Sequence, residues 1–127
     1  MHHITNEELI RKARSAISPR KLREGNTSGD VGCALLTDKG NIYLGVCIDT
    51  PSGMGFCAEH AAIAAMVTGG EHCIRKIVAV AEHGIIPPCG RCREFMYQIH
   101  RKNLGTQVII GKNRTVRLKE LLPHPWN

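Results

Sequence analysis

The sequence predicts an α/β fold of three layers, in which helices cover both faces of a mixed five-stranded sheet. Three observations support this prediction: an amphipathic helix pattern near the amino end, a hairpin of two apolar strands after it, and an alternation of helix and strand patterns up to the carboxyl end. The predicted order is helix, strand, strand, helix, strand, helix, strand, strand. Two strand-helix-strand connections imply crossovers, whose helices pack on the sheet.

The first helix is defined by its end signals. Thr5 and Glu8 have the spacing of a capping box, an apolar stripe follows, and Pro19 closes the helix. The polar, glycine-containing segment 20–30 is expected to be a loop that borders the binding pocket.

The later elements follow from apolar runs and their boundaries. The helix predicted at 57–68 is apolar on nearly all sides and ends at Gly69-Gly70, so it should be buried. The continuous apolar run 74–81 is typical of a central parallel strand. The remaining predicted elements are strands at 31–37, 42–48, 107–110 and 115–117, a helix at 89–100 and a helical turn at 118–122.

Length and composition predict one cytoplasmic domain, 1–127. The chain has 127 residues, long enough for a core of its own, although oligomerisation would help to build a pocket. No apolar run reaches the roughly 20 residues that span a bilayer, and the amino end lacks the pattern of a secretion signal. In a reducing compartment, metal binding by some of the six cysteines is a better explanation than a disulfide framework.

The formal net charge is +6, with several of the basic residues near the carboxyl end. Such a surface is compatible with nucleic acid, because basic patches supply the sequence-independent part of that binding. However, only 4% of the residues are aromatic, which leaves few platforms for base stacking. We therefore expect no nucleic-acid partner.

Two short segments carry the metal-binding signal. One contains Cys57, and the other contains Cys89 and Cys92 in a Pro-Cys-x-x-Cys sequence at the start of a predicted helix. Thiolates are ligands that zinc prefers, and a catalytic zinc site uses three protein ligands with the fourth position open for water. The sequence therefore predicts Zn²⁺ bound by these three cysteines.

Glu59 is the predicted catalytic residue. It follows the first ligand by two residues and can face the same pocket from the first helical turn, as a proton carrier rather than as a ligand. The alternative is that Cys57 is a small buried residue and Glu59 a helix-start acid favoured by the dipole. That alternative leaves the Pro-Cys-x-x-Cys segment unexplained.

The combination Cys57-x-Glu59 and Pro88-Cys89-x-x-Cys92 resembles the zinc-dependent nucleoside deaminases. From Val31 to Trp126 the chain is similar to the small cytidine and blasticidin-S deaminases. The resemblance implies the cytidine deaminase fold, a homotetramer and a small-molecule substrate. It also implies that the Ala58 backbone N–H contacts the pyrimidine carbonyl and that the Pro87 carbonyl contacts the amine.

The resemblance also suggests which residues tune the metal charge. Arg91 matches the Cys-Gly-Arg-Cys form of blasticidin-S deaminases, whereas cytidine deaminases more often place an arginine after the catalytic glutamate, where this chain has His60. We expect Arg91 to offset the thiolate charge, with His60 secondary. Alternatively, either side chain faces solvent.

The ribose subsite departs from the family pattern. The family pattern of cytidine deaminases at these positions is Asn-x-Glu, whereas this chain has Cys47-Ile48-Asp49. Asp49 can still accept a hydrogen bond from the sugar, but the Cys47 thiol is a poor replacement for an amide. Trp126 occupies the position of a tail aromatic that in relatives lines a neighbouring subunit's pocket.

The predicted function is zinc-dependent hydrolytic deamination of a free cytosine nucleoside or a similar compound, with release of ammonia. A blasticidin-S-type antibiotic deaminase is the alternative. An editing deaminase of nucleic acid is a weaker one, because those enzymes more often have histidine as the first ligand. A non-catalytic zinc module is disfavoured by Glu59 and by the open coordination position.

Overall fold

The computed structural model describes residues 3–127 and contains the predicted alternation of helices and strands. The helices are α1 (Asn6–Ala16), α2 (Ala58–Thr68), α3 (Gly90–Ile99) and α4 (Leu118–Leu121). The strands are β1 (Arg20–Lys21), β2 (Thr27–Thr37), β3 (Ile42–Asp49), β4 (Ile74–Ala81), β5 (Gly84–Ile86), β6 (Gln107–Gly111) and β7 (Arg114–Arg117). Short 3-10 turns occupy Arg23–Gly25 and Arg101–Gly105.

The sheet has seven strands rather than the predicted five. Five of them form the body of the sheet in the order β3-β2-β4-β6-β7. β1 pairs with two residues of β2, and β5 pairs with three residues of β4. The prediction missed both because two or three residues are too short to show an alternation of apolar and polar positions.

Helices pack on both faces of the sheet, which confirms the three-layer prediction. Alternate residues of β2 face opposite layers, as strand geometry requires. Ala34 and Leu36 pack with Leu9 and Ala13 of α1. On the other face, Leu35 belongs to the cluster that contains the buried apolar residues of α2 and Met96 of α3.

Several local predictions are confirmed, and two are corrected. Thr5 caps α1 with Glu8 in a capping box, and β4 spans the same residues as the predicted apolar run. The segment 20–30 is not simply a loop, because it contains β1, a 3-10 turn and the start of β2. β4 is parallel to β6 but antiparallel to β2, so the predicted parallel pairing is present on only one side of this strand.

The strand directions bring the starts of α2 and α3 together. β3 and β4 both run antiparallel to β2, so they are parallel to each other and end at the same edge of the sheet. α2 follows β3 along the chain, and α3 follows β4 and the short β5. Both helices therefore begin at one edge, as the paired cysteine segments require.

α2 lies very close to β3 at Gly45. A Cβ atom at this position would lie 2.3 Å from the Ala62 nitrogen and 2.5 Å from the Ala58 oxygen. Any larger residue would push the helix away from the strand. Gly45 thus allows α2 to pack closely on β3 and so determines where the first turn of α2 lies relative to the sheet.

None of the helices within residues 3–127 is both long enough and apolar enough to cross a lipid bilayer.

A buried carboxylate fastens the hairpin to the segment after α2. Glu71 is 6% exposed, and its Oε2 accepts hydrogen bonds from Asn41 Nδ2 at 2.8 Å and from the Tyr43 hydroxyl at 3.0 Å. Burial alone would raise the pKa of Glu71, but the hydrogen bonds from Thr37, Asn41 and Tyr43 together lower it. The ionised form of Glu71 therefore stabilises the fold.

We expect Glu71→Gln to destabilise the protein at neutral pH, because a neutral amide oxygen accepts these hydrogen bonds more weakly than a carboxylate and its NH₂ group would be buried without an acceptor. A lowered pKa in the folded state gives stability above the unfolded value of about 4.3, which is lost as pH falls through the folded value. The gap in unfolding free energy between wild type and variant should therefore narrow from about pH 7 to about pH 3. Urea titrations measure this gap, with exposed Glu82→Gln as the control. A gap independent of pH would contradict the assignment.

Candidate active site and metal centre

Each of the three predicted ligands lies at the start of a helix. Cys57 is the N-cap residue of α2, Cys89 is the N-cap residue of α3, and Cys92 is buried in the first turn of α3. Neither N-cap residue makes a side-chain capping hydrogen bond. Their sulfur atoms are therefore available to a metal, at helix ends whose unpaired N–H groups favour negative charge.

The three sulfur atoms form a cluster of the right size for zinc. Their Sγ atoms lie within 4.8 Å of one another, and the Cys57 and Cys89 sulfurs are 3.4 Å apart. Two thiolates bound tetrahedrally at about 2.3 Å from zinc would be about 3.8 Å apart. Within residues 3–127 this is the only cluster of three or more such donor side chains with metal-binding geometry.

The thiols themselves need a cation. Burial, a hydrogen bond to Cys89 and charge repulsion from it raise the pKa of Cys57 to about 11. Burial, with repulsion from Glu59 and the other sulfurs, raises the pKa of Cys92 further. Burial opposes ionisation of Cys89 as well, but the neighbouring backbone N–H groups of Cys92 and Arg91 and the two other thiols lower its pKa. Three thiolates can thus coexist here only with a metal ion, which fits Zn²⁺.

Glu59 lies in the wall of the same site and is 4% exposed. Burial raises its pKa, and a hydrogen bond from its own backbone N–H only partly opposes this. A carboxyl group with a raised pKa exchanges protons more readily near neutral pH than an exposed one. The residue is therefore suited to carry a proton.

A cavity of about 710 Å³ opens beside the cluster. Four of the five predicted substrate-binding residues line it: Cys47, Asp49, Ala58 and Pro87. The fifth, Trp126, is 71% exposed and is not part of this wall, and its backbone N–H donates to Glu94 Oε1 at 3.2 Å.

The cavity wall also contains residues that were not predicted as site residues. Asn26 directly precedes β2, Asp30 and Val31 lie in β2, and Phe56 lies in the loop before Cys57. Segment 20–30 was expected near the pocket, but its individual contacts depend on the pairing of β2 with β3. Single-sequence patterns give no register, so these residues carried no signal.

The predicted charge-tuning residues are Arg91 and His60. Both are close in sequence to the cysteine ligands, but their surroundings differ. Arg91 lines the cavity, and its Nη1 donates to the Gly55 carbonyl at 3.3 Å. The His60 ring lies between Phe56 and Phe95, with ring centroids 4.9 Å and 4.1 Å away. Burial and the charge of Arg91 lower the pKa of His60, which favours the neutral ring. Their electrostatic roles stay predictions.

Fold and site together define a zinc hydrolase in which one buried carboxyl group lies beside three thiolates. Residues 4–110 match the model of the cytidine and deoxycytidylate deaminase zinc-binding region. The chain belongs to this family, whose members named cytidine deaminase hydrolyse C–N bonds in cyclic amidines.

Individual relatives agree with this assignment. A cytidine deaminase of Mycobacterium tuberculosis is 33% identical over 96 residues, which cover 73% of this chain and 69% of that protein. The crystal structure of a cytidine deaminase from Mycobacterium tuberculosis superposes with a TM-score of 0.82 at 25% identity, covering 98% of this chain and 99% of that chain. A mutant form of that enzyme gives a TM-score of 0.83. The cytidine deaminase of Burkholderia pseudomallei gives a TM-score of 0.79 at 28% identity, covering 97% and 100%.

We expect the purified protein to contain about one zinc ion per chain, because three protein ligands and one open position describe a single catalytic site. Cys92→Ser should lose most of this zinc, since a buried hydroxyl is a much weaker ligand than a thiolate. Elemental analysis after gel filtration measures the ratio. Cys73→Ser is the matched control, because Cys73 is only partly buried and lies outside the cluster. Equal zinc loss in both variants would contradict the assignment.

Proposed function

We propose that this protein is a hydrolytic deaminase of a free cytosine nucleoside or a closely similar compound. The observation that carries the proposal is the buried Glu59, which lines a cavity of about 710 Å³ together with Cys57 and Cys89 of the thiol cluster. A cavity of this volume is within the range typical of small-molecule sites. The site combines a metal cluster, a proton carrier and space for one nucleoside-sized ligand.

In the proposed mechanism the Cys57, Cys89 and Cys92 thiolates would hold the zinc ion. When bound, zinc would supply a water molecule whose pKa is lowered from about 15.7 to about 7. Glu59 would accept a proton of this water and deliver it to the ring nitrogen, while the water oxygen bonds to the amine-bearing ring carbon. Glu59 would then move the second proton of that oxygen to the amino group, so that the C–N bond breaks, ammonia leaves and the carbon becomes a carbonyl. One carboxylate thus serves in turn as base and acid.

The cavity wall would orient the base beside Glu59. Ala58 is fully buried at the first position of α2, and Pro87 precedes the Pro-Cys-x-x-Cys segment. The Ala58 N–H group belongs to the first turn of the helix, where backbone donors lack intrahelical partners. We assign this donor to the pyrimidine carbonyl and the Pro87 carbonyl to the amine, while Asp49 receives the sugar hydroxyl.

Arg91 is the proposed charge-tuning residue. Three thiolates leave zinc with a formal charge of minus one, which weakens its effect on bound water. The guanidinium of Arg91 lies in the cavity wall and stays charged at any accessible pH. His60 contributes a smaller share in this proposal, because its neutral form is favoured between the two phenylalanine rings.

The proposed assembly is a cytoplasmic homotetramer in which each tail reaches a neighbouring pocket. The indole of Trp126 supports this, because it is 71% exposed and is therefore free to contact a neighbouring subunit. α2 is apolar on nearly all sides, and Val67 is 39% exposed on it, which gives an outward apolar face.

A blasticidin-S-type substrate is the second candidate, and the lining of the sugar end of the cavity favours it. Cys47 replaces the amide of cytidine deaminases, and Asp30 and Asp49 add two carboxylates to the wall. Among residues 3–127, Arg91 is the only lysine or arginine that lines this cavity. Such a wall suits a ligand that donates hydrogen bonds or carries positive charge. It is less suited to the phosphate groups of nucleotides or nucleic acids.

We expect Glu59→Gln to keep its zinc and to lose about 10²- to 10⁴-fold in kcat, because the amide cannot accept the proton. Ammonia release is measured for cytidine, deoxycytidine, cytosine, blasticidin S and guanine. Each substrate is also tested with Glu82→Gln as the control, because Glu82 is exposed and lies outside the cavity wall. Turnover near wild type in the Glu59 variant would remove this residue from the mechanism.

Deletion of residues 123–127 should raise KM by about 10-fold, the loss expected when one aromatic contact with the ligand is removed. Thermal unfolding should change little, because Trp126 is exposed and not part of either core cluster. Steady-state kinetics and calorimetry test the two expectations, and light scattering reports the oligomer. An unchanged KM would refute the assigned role of the tail.

A further inference from the structure

The wall of the cavity contains a strand irregularity that is filled by Cys47. β2 and β3 pair Thr27 with Asp49 and Ser28 with Ile48, and regular pairing resumes only at Gly32 with Val46. Residues 29–31 of β2 therefore lie opposite the single residue Cys47. A bulge of this kind leaves backbone N–H groups without ladder partners and redirects side chains.

The Cys47 thiol faces Asp49 beside the bulge. Cys47 is 6% exposed, and its sulfur lies 3.5 Å from Asp49 Oδ2, to which the thiol can donate. A thiol has one hydrogen to donate and is a weak acceptor. Little capacity is therefore left for a direct hydrogen bond to a ligand.

Asp49 is held by one of its two oxygens. The Thr27 hydroxyl donates to Oδ2 at 3.5 Å, so Thr27 and Cys47 converge on the same atom. No hydrogen bond to Oδ1 is present within residues 3–127. Asp49 is exposed and lines the cavity, which leaves Oδ1 as the acceptor available to a ligand.

We infer that Cys47 and Thr27 are positioning residues that fix Asp49 Oδ2 so that Oδ1 accepts a hydrogen bond from a hydroxyl or amino group of the substrate. The inference rests on the proposed function and narrows its substrate class. An asparagine at position 47 could both donate to and accept from the ligand, whereas a carboxylate only accepts. The substrate must therefore present a hydrogen-bond donor here, and a compound without one is rejected.

The test compares cytidine with 2′,3′-dideoxycytidine, which has the same reacting base but lacks the two ring hydroxyls. The measured quantity is the ratio of their kcat/KM values. In the wild type the ratio should be about 10 to 100, the fold-change expected for a hydrogen bond to a charged group. Asp49→Ala should bring it close to one. A role in folding alone would lower both kcat/KM values together and leave the ratio unchanged.

The positioning residues are tested by Cys47→Ala and Thr27→Val. Each should lower the ratio by about 3- to 10-fold, mainly through KM for cytidine, because one of the two donors to Oδ2 is lost. Cys47→Ser should recover part of the ratio, because a hydroxyl can replace the thiol as donor. Cys73→Ala is the matched cysteine control and should leave the ratio at the wild-type value, since Cys73 does not line the cavity.

The outcomes separate this inference from the proposed function. If cytidine is deaminated but the Cys47 and Thr27 variants keep the wild-type ratio, the positioning role is overturned and the function stands. The same conclusion follows if Cys47→Ser behaves like Cys47→Ala. If neither cytidine nor dideoxycytidine releases ammonia with the zinc-loaded wild type, deamination of cytosine nucleosides fails as the function, and the inference that rests on it fails as well.

Discussion

The shared direction of β3 and β4 is the constraint on which the site depends. Because both strands are antiparallel to β2, they end at one edge of the sheet, and the helices that follow them begin side by side. The close approach at Gly45 then determines the distance between α2 and β3. Without either feature, Cys57 on one helix and the two cysteines on the other would not meet.

Charge balance explains the arrangement around the cluster. Two of the three thiols have raised pKa values and Glu59 is buried beside them, so this corner of the metal-free protein resists negative charge. A divalent cation reverses the balance, and the unpaired N–H groups of two helix starts add to it. The same burial that makes the thiols depend on a metal also adjusts the acidity of the carboxyl group that works next to it.

The sequence was sufficient for the ligands and the main layers, because these depend on local patterns. The helix starts at Cys57 and Cys89, the apolar run of β4 and the capping box at Thr5 are all readable from neighbouring residues. The short strands β1 and β5 and the bulge opposite Cys47 depend on strand register, which is a long-range property. For this reason the metal centre could be predicted in detail, whereas Asn26, Asp30 and Phe56 in the cavity wall could not.

Zinc K-edge X-ray absorption on the purified protein tests the central claim most directly. The account predicts three sulfur neighbours at about 2.3 Å and one light neighbour at about 2.0 Å without the scattering pattern of an imidazole. That result would describe an open vertex for solvent next to the acidic side chain. Four sulfur neighbours, or a histidine in the fourth position, would describe a closed structural site and would contradict the account.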